Sequence, residues 1–104
     1  MKYKNFKVEI GGMKWDIVFL EPDQIKGFNG LCYHSELRIE LRNDLPYPIM
    51  KRRYIHECVH AIMGCQGRCF QKKYDTEDVC EIVAYAFDDL LYLYKAFDYA
   101  QRKK

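Results

Sequence analysis

No apolar run in this chain approaches the roughly 18 residues that a membrane-spanning helix needs. The opening MKYKNFKVEI lacks the apolar core, roughly 7–15 residues long, of a secretory leader. Neither sign of charge dominates: 17 lysines and arginines stand against 15 acids, a formal net charge of +2. That balance gives no global reason to expect a nucleic-acid or membrane partner. The basic runs Lys51-Arg52-Arg53, Lys72-Lys73 and Arg102-Lys103-Lys104 read as solvated surface and tail. There are no repeats, low-complexity stretches or linkers. The five cysteines, an odd number, do not make a complete disulfide framework. With no leader, they imply reduced thiols and a cytoplasmic location.

What is present is one domain's worth of chain, 104 residues, 49% apolar and rich in tyrosine with nine. The tyrosines suggest nothing beyond packing. Phe6 to Ile10 alternates apolar and polar side chains, as a half-buried strand does. Gly11-Gly12 marks a tight hairpin, and Lys14 to Leu20 returns as a more buried strand. Residues 21–35 carry Pro22, Gly27 and Gly30 and read as a connector. Leu37 to Leu41 alternates again, giving a third strand. A helix is expected from near Pro48 to about Met63, with Gly64 and Gly67 as stop signals. Ile55, Val59 and Ile62 form its apolar stripe. A second, longer helix is expected over about 76–100, capped by Asp75-Thr76. Its stripe runs through Val79, Ile82, Val83, Ala86, Phe87, Leu90, Leu93, Tyr94 and Phe97. Strands first and helices second make an α+β domain, with a small sheet of about three strands.

The chemistry concentrates in Ile55-His56-Glu57-Cys58-Val59-His60. Histidines four apart on a helix lie about 40° from each other, one turn apart, and can converge on one ion. Neutral imidazole is a good zinc ligand, and a catalytic zinc takes three protein ligands and keeps a position for water. Glu57 points away from both rings but can reach that water and take its proton as general base. One turn of helix thus supplies two ligands and a base. The same spacing is also compatible with two ordinary, partly exposed histidines.

The third ligand must come from elsewhere. Glu81 and Glu77, early in the second helix, are the candidates. Glu81 lies opposite the Val79/Val83/Phe87 stripe, beside Tyr85, Asp88 and Tyr92, where a solvated carboxylate would also sit. Cys65 and Cys69 offer a rival, a closed Cys₂His₂ structural site with His56 and His60. Cys58 and Cys80 suit the core. Cys32 and His34 fall in the connector, where a histidine is usually just exposed.

With these residues in view, the chain resembles the minimal zincin metallopeptidases of phages and bacterial mobile elements, similar in pattern to the ImmA/IrrE group. The resemblance rests on Gly30, the alternating strand Leu37 to Leu41, the run Ile55 to Ala61, and Glu81-Ile82-Val83-Ala84-Tyr85-Ala86-Phe87. It implies a zincin-like fold and one zinc ion held by His56, His60 and Glu81, with Glu57 as catalytic base. It also implies a peptide substrate lying extended along Leu37–Leu41 by strand addition. Tyr85 is a candidate for stabilising the oxyanion. An asparagine common shortly after the third ligand in the ImmA group is absent here, and Ala84 and Tyr85 stand in that region. Two other readings stay open: a zinc-binding zincin-like module that cleaves nothing, and a metal-free partner-binding domain.

Overall fold

The structure is a computed structural model that describes the backbone of residues 3–65 and 76–103 and the side chains of 3–64, 83 and 86–103. Four strands and two helices follow in order: β1 Phe6–Ile10, β2 Met13–Leu20, β3 Gly30–Tyr33, β4 Arg38–Arg42, α1 Tyr47–Cys65 and α2 Thr76–Arg102. This is an α+β domain with a mixed sheet and a long C-terminal helix.

β1 and β2 form the expected hairpin, closed at the Ile10–Met13 pair. Both turn residues have positive φ, 61° at Gly11 and 79° at Gly12, which only glycine adopts without strain. β2 then pairs in parallel with β4, and β3 pairs antiparallel with β4, so the sheet order is β1-β2-β4-β3.

The sequence hides β3. Its four residues GLCY carry no alternation and lie inside what reads as connector, so the sheet has four strands rather than three. Pairing with β4 makes the strand, not local propensity. The same pairing moves the free edge. β4 is hydrogen-bonded to β2 on one side and β3 on the other, so Leu37–Leu41 cannot accept an added strand. β3 is the outer strand there. Leu37, expected to open a strand, instead turns the chain at φ 53°, donating its N–H to the His34 carbonyl.

Both helices cover one face of the sheet. The core joins Val8, Ile10, Trp15, Ile17, Ile39 and Leu41 from the strands to Met50, Tyr54, Cys58 and Ala61 of α1 and to Ala86, Leu93 and Phe97 of α2. The buried spine of α1 is therefore Met50/Tyr54/Cys58/Ala61 with Ile62, while Ile55 and Val59 are half-buried. The α2 seam is Ala86, Leu90, Leu93 and Phe97, one residue per turn. Val83, Phe87 and Tyr94, expected in the stripe, are exposed. Val79 and Ile82 lie outside the described side chains. The Tyr54 hydroxyl donates to the Leu93 carbonyl at 2.8 Å, satisfying the polar end of a wholly buried ring and tying α1 to α2. Among the described residues no helix is long and apolar enough to cross a membrane.

Candidate active site

α1 runs past β3, and the space between them is an open cleft of about 350 Å³. Gly30, Cys32 and His34 line it from the sheet side, and Arg53, His56, Glu57 and His60 from the helix. Among the described residues three larger hollows lie elsewhere, but none gathers such a set of donor groups.

The helix does what its spacing requires. His56 and His60 face the cleft with ring centroids 4.9 Å apart and planes at 71°. Glu57 lies beneath them at 4% exposure, next to buried Cys58. A carboxylate this enclosed needs a reason. Its one charge partner among the described residues is Arg53, one turn earlier, with Nη1 4.0 Å from Oε2. At that distance the pairing is weak. Burial holds the Glu57 carboxyl above the usual carboxylate range, and Arg53 offsets this only in part. Burial, then the charges of Arg53 and His60, lower the pKa of His56 and favour the neutral imidazole that binds metals.

Glycine sets the width of the cleft. A Cβ on Gly30 would lie 3.1 Å from Glu57 Oε2 and 3.1 Å from Arg53 Cδ. A side chain there would press on the carboxylate, so β3 approaches α1 closely only because residue 30 has none.

His34, expected as an exposed loop residue, is wedged against the end of α1. Its Nε2 lies 2.8 Å from the His60 carbonyl oxygen, which can only accept, so that nitrogen carries the proton. Its ring meets Trp15 edge-on at 6.0 Å. Gly64 makes room for it: a Cβ there would fall 2.0 Å from His34 Cδ2. Gly64, one residue before the last described residue of α1, thus also accommodates the β3–β4 turn.

The structure brings His56, Glu57 and His60 together, and adds Gly30, Cys32, His34 and Arg53. Gly30 was already part of the resemblance, and Arg53 was within reach through its four-residue spacing from Glu57; the places of Cys32 and His34 follow from the β3–β4 pairing, which the sequence does not display. The side chains of Glu81, Glu77, Tyr85, Cys65, Cys69 and Cys80 lie outside the described residues. Among the described residues no three His, Cys, Asp or Glu side chains are arranged to share a metal ion. Two imidazoles one helical turn apart on one cleft suit zinc, and a third donor would have to join them from outside the described set. No known family model, curated protein or solved structure matches the chain.

Proposed function

We propose that this protein is a zinc-dependent metallopeptidase of the minimal zincin kind, with one zinc ion on His56, His60 and Glu81 and with Glu57 as the catalytic base. The observation that carries this reading is the enclosed Glu57 carboxylate, set between two histidines that open onto one cleft. A helix that merely tolerated two histidines would have no use for a buried, weakly paired carboxylate between them. Zinc bound there would supply a Lewis acid and bring the pKa of water to about 7. Glu57 takes the proton of the attacking water and delivers it to the leaving amine. Its raised pKa suits both steps.

The sheet edge at Gly30–Tyr33 borders the same cleft, so a peptide would lie extended along β3 by strand addition. The shortness of β3, four residues, favours a second reading: a zinc-binding module that holds a partner without cutting it.

Elemental analysis of wild type beside His56→Ala and Glu81→Ala tests the site. One zinc per chain, lost in both variants, is the expected result. Zinc kept in Glu81→Ala would move the third ligand to Glu77 or the cysteines. A wild type purified without chelator and free of metal would sink the proposal. Glu57→Gln then separates the two zinc readings. Loss of peptidase activity by about 10²–10⁴-fold with zinc retained supports the enzyme; a cellular effect unchanged by Glu57→Gln supports the module.

A further inference from the structure

At the other edge of the sheet, a groove of about 750 Å³ runs between the start of β1 and the last three turns of α2. Lys4, Lys7, Lys95 and Lys103 line it with Tyr92 and Tyr99, and no acidic side chain does. These residues come from the two ends of the chain, so a near-neutral sequence folds into a locally cationic surface. Lys7 is answered by Asp16. Lys4, Lys95 and Lys103 have no carboxylate within ion-pair distance among the described residues.

The groove is built rather than frayed. The backbone N–H of Lys4 donates to Gln101 Oε1 at 2.7 Å, and Gln101 Nε2 donates back to the Lys4 carbonyl at 2.9 Å. The Lys4 ammonium donates to the Lys103 carbonyl. Along α2 and the residue that follows it, rings and cations alternate in the groove lining, Tyr92, Lys95, Tyr99 and Lys103, over about 16 Å. The Glu9 N–H donates to the Tyr92 hydroxyl at 3.3 Å and fixes that ring at one end. Tyr99, 64% exposed, presents an open ring near the other, with the Lys103 ammonium 5.8 Å from its centroid.

We propose that this groove binds single-stranded nucleic acid, with phosphates on Lys4, Lys95 and Lys103 and unpaired bases stacked on Tyr92 and Tyr99. The cations are all lysine, point charges suited to a phosphate backbone read without regard to sequence. No arginine fork is present to grip carboxylates, which argues against an acidic peptide. Aromatic rings interleaved with the cations give bases a stacking platform, and such a platform tolerates any sequence. A duplex keeps its base faces covered and could use only the charges.

The test is fluorescence anisotropy of the full chain with a labelled oligothymidylate of about twelve nucleotides, titrated across salt. Binding at low salt should weaken with a log–log slope near −2, since three phosphate contacts each contribute about −0.7 on a single strand. Lys95→Gln with Lys103→Gln should cut affinity at least about tenfold and bring the slope to about −0.7. Tyr99→Ala should cost about fivefold or more while Tyr99→Phe changes nothing, the signature of stacking. A duplex of equal length should compete at least several-fold less well. The proposal is overturned by any of three results: no binding at low salt, a polyglutamate of equal length competing as well as the oligonucleotide, or full affinity in a folded Tyr99→Ala. The wild-type salt slope needs no variant, so the test survives should one fail to fold.

Discussion

The two outer strands of this sheet meet their helices by opposite means. Around β1 the space is filled. Phe97 of α2 is the hub, with ring centroids 4.9 Å from Tyr54, 5.6 Å from Tyr47, 5.7 Å from Phe6, 6.1 Å from Phe19 and 6.3 Å from Tyr3. Around β3 the space is withheld. Gly30 and Gly64 leave out the side chains that would push sheet and helix apart, and Glu57 and His34 use the room. The first arrangement yields rigidity through contact, the second proximity through absence. Stability in this molecule should therefore be sensitive to lost volume on one side and to gained volume on the other.

The strongest challenge to that contrast is Phe97→Ala. Removing a wholly buried ring from the hub should cost about 3–5 kcal/mol in urea unfolding. Any zinc bound by the molecules that remain folded should be retained, because the hub does not touch the cleft. A cost below about 1 kcal/mol would mean the aromatic cluster is decoration.

Gly64→Ala probes the other side. In the last turn of α1 the change alone should stabilise by at most about 1 kcal/mol. Here the new methyl meets the His34 ring, and a net cost of about 1–3 kcal/mol is expected. The sign is the test, and adding His34→Ala should restore the helical gain in a double-mutant cycle. Gly30→Ala is gentler. The Arg53 side chain can yield a few tenths of an ångström, so stability should fall by less than about 1 kcal/mol. Any peptidase activity should still drop about tenfold, since the new methyl also presses on the Glu57 carboxylate.

The smallest effect lies where α1 and α2 exchange charge. Asp98 accepts from Tyr47 at 2.5 Å and from Lys51 at 2.6 Å, and the Lys51 ammonium sits over the Tyr94 ring. The Lys51 and Tyr47 hydrogen bonds hold the Asp98 carboxyl below its ordinary value of 3.8. Its contribution is therefore present above about pH 4 and is lost as pH falls through the lowered folded value. Tyr47 behaves in the opposite sense. Burial, then Asp98, push its pKa up from 10.0 to about 12, so its contribution is present below pH 10 and is lost as pH rises towards 12. Asp98→Asn should flatten the acid limb of unfolding free energy against pH by less than about 1 kcal/mol, the range of partly exposed pairs. A variant with an unchanged acid limb would remove Asp98 from the account.

The sequence spoke most clearly where chemistry follows from spacing along one helix. His56, Glu57 and His60 sit as four-residue periodicity requires, and α1 begins and ends within two residues of its signals. The β1–β2 hairpin was likewise written in Gly11-Gly12. What stayed hidden depends on residues far apart in the chain. β3 exists because β4 offers an edge, and its own four residues carry no pattern. The free edge of the sheet follows strand order, which alternation does not encode. Nine tyrosines suggested only packing; Tyr3, Tyr47 and Tyr54 do pack around Phe97, while Tyr92 and Tyr99 turn outward. The groove lysines, at 4, 7, 95 and 103, look like scattered surface until the two ends of the chain meet.

That meeting has a kinetic side. The Lys4–Gln101 clamp joins residues 97 apart, whereas the Lys7–Asp16 pair of the β1–β2 hairpin spans 9. Closing the longer loop costs about 2 kcal/mol more in chain entropy, so the hairpin can form early and the clamp only once most of the chain is in place. The amide hydrogen of Lys4, held by Gln101, is thus a clock for the end of folding. Its protection should appear after that of the hairpin amides, and it should be the first to exchange when the helix end lifts.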